Sequence, residues 1–344
     1  MPEFAPGLHA AAGKVVDVAA YERFTGYWSR LFVPQVIAAA AIGPGSKVLD
    51  ISTGTGEAAL AILPAIGDSG ILVGADISPE MLDGARRRVR NHPNFWAVVA
   101  DGQALPFQAG SFDAVVCQLG LQFFPDPARG LAEFQRVLRA DGKASVCVIS
   151  TADRAPIWGI LAEAVARYLP EQRGVLMTSF SLSDAARLER LFAAAGFHNI
   201  SVVRETRVGV VESLAAYWDA VEAGIGSIPQ SYLLLAAADR RAVREEVDTR
   251  LAPYMRDGEL HANIEMLIGS GHAGPMSESA GISPPDLPAA FDTRLAAMLI
   301  CPISRGPLVY VAAMNELVSH DARLAYPVCD GVPVLLASAA RRLE

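Results

Sequence analysis

Short apolar runs and amphipathic stretches alternate through the first 150 positions of the chain. The compact runs predict strands at about 47–51, 71–76, 95–100, 112–117 and 143–150, with apolar residues at helical spacing between them. Such alternation predicts an α/β fold, a mostly parallel sheet with helices on both faces. The punctuation agrees. Ser78 followed by Pro79 reads as a helix cap and first helical position. Asp126 and Pro127 open another helix, with Leu131, Phe134, Val137 and Leu138 on one face and an end near Gly142. Upstream, a helix over about 21–41 is broken by Pro34, and residues 1–20 show no clear period.

Beyond residue 150 the alternation slows. Helices are expected at about 155–168 and 182–195, a strand at 199–208, a long helical stretch at 212–256 and a last strand at 260–268. The two final strands lie on either side of the helical stretch, which predicts an antiparallel end to a seven-stranded sheet. Residues 269–288 are rich in Gly, Ser and Pro and read as a linker. The expected organisation is therefore a large domain over 1–270 with a helical insertion at 212–256, a linker at 271–289 and a small unit over 290–344.

Composition narrows the classes. With 344 residues, 52% of them apolar, a sizeable core can be buried in one large and one smaller domain. The net charge of −8 argues against a nucleic-acid surface. No stretch has the length of a membrane span, and the first residues lack a basic segment leading into an apolar core. A cytoplasmic soluble protein is expected. Four scattered cysteines imply no disulfide framework. The apolar fraction and the appended unit are compatible with a homodimer.

The chemistry concentrates in Asp50-Ile51-Ser52-Thr53-Gly54-Thr55-Gly56, between a strand-like and a helix-like run. A bend with little side chain lets a ligand touch the backbone, and the following helix offers free N–H groups. Nucleotide-type cofactors bind at the carboxyl ends of parallel strands. Two more acidic residues follow the next two strands: Asp76, suited to a ribose diol, and Asp101, suited to an adenine edge. One such residue reads equally well as a helix cap; three in succession favour a ligand. Gly54-Thr55-Gly56-Glu57-Ala58-Ala59 also fits the nicotinamide fingerprint. Asp50 before the glycines, the third carboxylate and the antiparallel sheet end weigh against that reading.

These segments resemble the class I S-adenosylmethionine-dependent methyltransferases, in the group of the ubiquinone and menaquinone C-methyltransferases. The resemblance rests on Val48 to Gly56, Asp76-Ile77-Ser78-Pro79-Glu80-Met81-Leu82, Asp101-Gly102-Gln103-Ala104-Leu105-Pro106-Phe107, Ser111 to Val116, Gln118 to Asp126 and Val137 to Lys143, and covers about 15–270. It implies a Rossmann-like fold and S-adenosyl-L-methionine as cofactor. It also implies that Asp50, Ser52, Thr53, Gly54 and Gly56 pack against the methionine part. Asp76 would hold the ribose beside Ile77 and Met81. Asp101, Gly102 and Gln103 would meet the adenine, and Gln118 would flank the sulfonium. Tyr21, Trp28 and Ser29 would cover the cofactor, core packing being the other reading of Trp28. Ser52 stands where the family has its first glycine.

The segments Leu299 to Leu308 and Ala325 to Leu336, with Glu316 to Ser319 and Ala322 to Leu324 between them, resemble the Trm112-like family over about 292–341. Some of its members hold zinc on two C-x-x-C pairs. Here those positions read Cys301, Ser304, Ser319 and Ala322, so three of four thiolates are missing and no metal is expected.

Methyl transfer from a sulfonium is an in-line displacement that mainly needs alignment and exclusion of water. Methyltransferases of planar amino groups often carry Asn-Pro-Pro-Tyr after the fourth strand. Gln118-Leu119-Gly120-Leu121 stands there instead. An oxygen or carbon of a small-molecule acceptor is therefore expected. A base is needed only for a nucleophile of high pKa; the candidate is His261, at the start of the last strand. The stretch 212–256, with Tyr217, Trp218 and Tyr232, falls where the family places its substrate lid, self-packing of the helices being the alternative. Two further readings stand beside this one: a macromolecular acceptor (tRNA, rRNA or protein) served by a built-in Trm112-like partner, and a non-catalytic cofactor-binding module.

Overall fold

The computed structural model describes residues 22–90, 92–224, 226–275 and 293–343. Its main sheet has seven long strands: β1 (Lys47–Ile51), β2 (Ile71–Asp76), β3 (Phe95–Val99), β4 (Phe112–Gln118), β5 (Leu138–Ile149), β6 (Phe197–Val211) and β8 (Glu259–Ala273). The two-residue β7 (Met255–Arg256) pairs with β8. The order is β3-β2-β1-β4-β5-β8-β6. Neighbours from β3 to β5 run parallel, whereas β8 runs antiparallel to both β5 and β6. The antiparallel end expected from the sequence is present.

Alternation within each central strand sends side chains to two cores. In β1, Val48 joins the apolar layer on one face and Leu49 the layer on the other. Burial on both faces explains why these strands read as continuous apolar runs. Register then aligns the chemistry. Asp50 lies beside Gly74, and Asp76 lies beside Val99, so the carboxyl ends of β1, β2 and β3 share one rim.

The helices follow their signals. Ser78 Oγ accepts from Met81 N at 3.3 Å and Asp126 Oδ1 from Arg129 N at 3.1 Å, capping helices Pro79–Arg88 and Pro127–Val137. The second ends five residues before Gly142, because Leu138 already takes extended dihedrals and pairs with Phe112. Pro34 falls in the first turn of helix Val33–Ala39 rather than inside it, where a missing N–H costs nothing.

The strand β8 runs five residues into the 269–288 stretch read as a linker. A Cβ on Gly269 would stand 3.0 Å from Leu188 and Phe192, and one on Gly271 3.0 Å from Phe197. These glycines are there because the aromatic layer leaves no room, and composition alone reads the same glycines as flexible chain. The rest of that linker, from residue 276, lies outside the described residues, as does Tyr21.

Residues 293–343 form a small antiparallel sheet: β9 (Val309–Val311), β10 (Glu316–Ser319), β11 (Leu324–Cys329), β12 (Val332–Pro333) and β13 (Arg341–Arg342). The unit docks on the β3 edge of the large sheet. Val334 bridges Val99 in parallel, and Leu335 N donates to Val99 O at 2.8 Å. Exposed edges invite unwanted pairing, and here the chain covers its own. Arg305 adds a 3.0 Å ion pair to Glu133 and donates to Leu105 O at 2.8 Å. Burial pushes the Glu133 carboxyl up, but Arg136 and Arg305 more than offset it and leave it below the ordinary glutamate value.

Candidate active site

A cavity opens at the rim where β1, β2 and β3 end, and it continues over the ends of β4 and β5. The first part is made by the glycine bend. Ser52, Gly54 and Gly56 take φ of +57°, +54° and +84°. A non-glycine residue in that region costs about 1 kcal/mol, so Ser52 keeps the family's turn at some strain. Its side chain also sets a neighbour: a Cβ on Gly120 would lie 2.4 Å from Ser52 Cβ. Gly120 is thus required by the serine across the bend.

Two of the three rim carboxylates are tied to the bend. Asp76 Oδ2 accepts from Gly54 N at 2.9 Å, and its Oδ1 accepts from Ser78 N at 3.0 Å. Burial raises the Asp76 pKa, with the N–H groups of Ser78, Gly54 and Ile77 opposing. Asp50 is fully buried beneath the bend and accepts from Thr53 Oγ1 at 2.5 Å, while its Oδ1 has no partner. Burial pushes its pKa up to about 7; the Thr53 hydroxyl opposes this and the Asp76 charge adds to it.

Of the residues expected at the cofactor, the cavity is lined by Ser52, Gly54, Asp76, Ile77, Met81, Gly102 and Gln118. Others stand behind this wall. Asp50 and Thr53 brace the bend, and Gly56 caps the helix after it in a left-handed conformation. Asp101 turns back on its own loop, accepting from Gln103 N at 2.8 Å, while Gln103 Oε1 accepts from Asp126 N at 2.8 Å. Only Ala100 and Gly102 of that stretch reach the cavity. A Cβ on Gly102 would strike the Phe124 ring at 2.3 Å. Trp28 is a core residue, edge-to-face with Trp158 at 6.2 Å. Ser29 is buried, and its carbonyl accepts from Gln118 Nε2 at 3.2 Å.

His261 does not line the cavity. Its Nε2 meets Glu259 Oε2 at 3.0 Å, and it points to the same side of β8 as Glu265, while Leu260 and Ala262 enter the core. The antiparallel direction of β8 brings its start to the right end of the sheet, but strand alternation turns this side chain away. Tyr217 and Trp218 are also not at the cavity. The Tyr217 hydroxyl donates to Ile157 O at 2.9 Å and Trp218 Nε1 to Asp248 Oδ1 at 2.7 Å, so they pack the helices on the core. From the insertion, Gly226, Ser227, Ile228 and Pro229 reach the cavity instead.

Sequence reasoning missed the far wall: Gln122, Phe123, Ile149, Trp158, Ser179 and Gly226–Pro229. Gly226, at φ +91°, caps helix Ser227–Leu234, whose first turn holds Pro229, so a new helix starts inside the stretch read as one. Among the described lining residues, Asp76 is the sole titratable side chain.

In the small unit, the four positions that some Trm112-like proteins use for zinc come together. Cys301 Sγ accepts from Ser304 N at 3.4 Å, Ser304 Oγ and Ser319 Oγ lie 3.2 Å apart, and Ala322 N donates to Ser319 Oγ at 3.2 Å. Hydrogen bonds occupy the positions that thiolates hold elsewhere.

Residues 49–146 match the Methyltransf_11 family, described as a methyltransferase domain, and residues 292–331 match the Trm112p-like proteins. The demethylmenaquinone methyltransferase of Staphylococcus saprophyticus is 31% identical over 170 residues, which cover 46% of this chain and 72% of that protein. That of Staphylococcus carnosus is 32% identical over 170 residues, covering 46% and 70%. Among solved structures, the YcgJ protein of Bacillus subtilis is 18% identical with a TM-score of 0.48, over 72% of this chain and 98% of that one. The Haloferax volcanii complex between the Trm112 methyltransferase activator and a methyltransferase contains a chain 21% identical with a TM-score of 0.45, over 76% of this chain and 100% of that one.

Proposed function

Because the chain belongs to the S-adenosylmethionine-dependent methyltransferases, in the group of the menaquinone C-methyltransferases, we propose that it methylates an oxygen or carbon of a small aryl acceptor of the phenol or quinol class. The observation that carries this reading is the far wall of the cavity. Phe123, Ile149, Trp158, Ile228 and Pro229 make it largely apolar, as an aryl acceptor requires.

The residues fit the cofactor. The bend presents backbone rather than side chain, and Asp76, at the cavity wall, is held in place by backbone N–H groups. Asp76, Ile77 and Met81 would hold the ribose side, and Ser52 and Gly54 the methionine side. The bound cofactor supplies a methyl group already activated on a sulfonium. What remains for the protein is to align the acceptor and to exclude water, which the apolar wall does.

The wall offers no base among the described lining residues, since Asp76 faces the ribose. A phenol or quinol suits such a site, because it ionises far more readily than an aliphatic alcohol and needs little help to become nucleophilic. The relatives' names point the same way, toward a quinone-derived ring.

The test is methyl uptake from labelled S-adenosylmethionine onto a panel of phenols, quinols and carboxylates. Label on phenols or quinols alone is the expected outcome. A chain that labels only carboxylates, or none of the panel, refutes the acceptor class. The Trm112p-like match over 292–331 favours one second reading, a macromolecular acceptor. Salt-sensitive RNA binding with label transferred to RNA would favour it over the first.

A further inference from the structure

Gln122 sits at the centre of the Leu121–Phe123 turn, lines the cavity and is 2% exposed. Its backbone is fixed from both sides. Its carbonyl accepts from Ser181 Oγ at 2.9 Å, and Phe123 N closes the turn on Gly120 O at 2.9 Å. Its side chain is not satisfied. Oε1 and Nε2 are both buried, and neither has a hydrogen-bond partner among the described residues. Buried carboxamides are normally paired at both ends, because an unmade hydrogen bond there is costly. Gln122 belongs to a largely apolar wall with Phe123, Ile149, Trp158 and Ile228, beside Ser179 and Ser227.

We propose that Gln122 determines acceptor specificity by reading a ring hydroxyl, a single neutral group that both donates and accepts. The class of reaction rests on the function proposed above, while the binding preference stands on the geometry alone. A hydroxyl donates to Oε1 and accepts from Nε2, which satisfies both open atoms. A ring carbonyl satisfies Nε2 only. The site therefore favours the reduced, hydroxyl form of a quinone-type ring over the oxidised, carbonyl form. A site built to pair with a substrate hydroxyl rejects analogues that lack it far more strongly than an apolar pocket rejects a missing methylene.

Three stable probes separate the cases: 1-naphthol donates and accepts, 1-methoxynaphthalene only accepts, and naphthalene does neither. Their dissociation constants are measured by equilibrium dialysis against the full chain saturated with S-adenosylhomocysteine. The wild-type protein is expected to bind 1-naphthol at least ~10-fold more tightly than either analogue. Gln122→Met should bring the three within about 3-fold of one another and leave naphthalene and cofactor affinity unchanged. Equal wild-type affinities, absence of binding by all three probes, or a preference surviving in Gln122→Met would each overturn the proposal. A wild-type preference without methyl transfer to any phenol or quinol would refute the proposed reaction and leave the role of Gln122 intact.

Discussion

The two halves of the cavity are built by different physics. The cofactor half comes from consecutive strand ends, with neighbours close in sequence, buried carboxylates and a strained bend. The half proposed for the acceptor is assembled from five distant stretches, the 118–124 segment, Ile149, Trp158, Ser179 and 226–229, with largely apolar walls and two incompletely paired amides, Gln118 at Oε1 and Gln122 at both ends. One half stores electrostatic cost at the place proposed for a charged, polar cofactor. The other keeps charge out and offers shape and neutral polar groups for selection. A general cofactor and a particular acceptor call for these two solutions, and Ser52 against Gly120 is where they meet.

The comparison sharpens first on Asp50. Its native pKa of about 7 against 3.8 in the unfolded chain means that the folded state holds the extra proton. Stability contributed by that proton is complete below pH ~4 and is lost as pH rises through ~7, with a span on the order of 2–4 kcal/mol. Asp50→Asn should flatten the denaturant midpoint over that window in cofactor-free protein. A wild-type midpoint that already stays level from pH 4 to 8 would show that the bend stores no such cost.

The seam between the halves is tested next. Gly120→Ala forces a Cβ onto Ser52 and should cost about 1–3 kcal/mol. Ser52→Gly in the same chain should recover most of that loss, because it removes the opposing atoms and a left-handed serine together. Additive effects in the denaturant melts would place the strain elsewhere.

The smallest expected effect separates the halves functionally. Asp76→Ala removes a charged acceptor for the ribose diol and should weaken S-adenosylmethionine binding more than ~10-fold, about 1.4 kcal/mol, by calorimetry. The discrimination between 1-naphthol and 1-methoxynaphthalene should stay as in the wild type once cofactor is saturating. A changed preference would mean that the halves are coupled rather than separate.

The small unit adds a second contrast. Its Cys301, Ser304, Ser319 and Ala322 positions converge in space, held by hydrogen bonds and by docking on β3. The sequence made the missing thiolates visible, but not the edge that the unit covers.

Much of the cofactor half was legible because its determinants are local. Apolar runs ending in Asp50, Asp76 and Asp101 gave the strands, their direction and the rim, since helix caps and glycine turns act over a few residues. Register between strands then decided which carboxylate faces the cavity: Asp76 lines it, Asp50 lies beneath it, and Asp101 closes its own turn. The same limit misled on His261, whose position along β8 followed from topology but whose direction followed from a two-residue alternation set by the core. Tyr217 and Trp218 looked like a lid in sequence because aromatic side chains suit either a lid or a core, and only packing chose the core.

By itself, then, the sequence determined the family, the sheet, the cofactor bend and the loss of the thiolates, all properties of short contiguous segments. Tertiary structure alone decided the acceptor wall and the isolation of the Gln122 amide. Those depend on segments a hundred residues apart meeting over one sheet end, and no local preference encodes such a meeting.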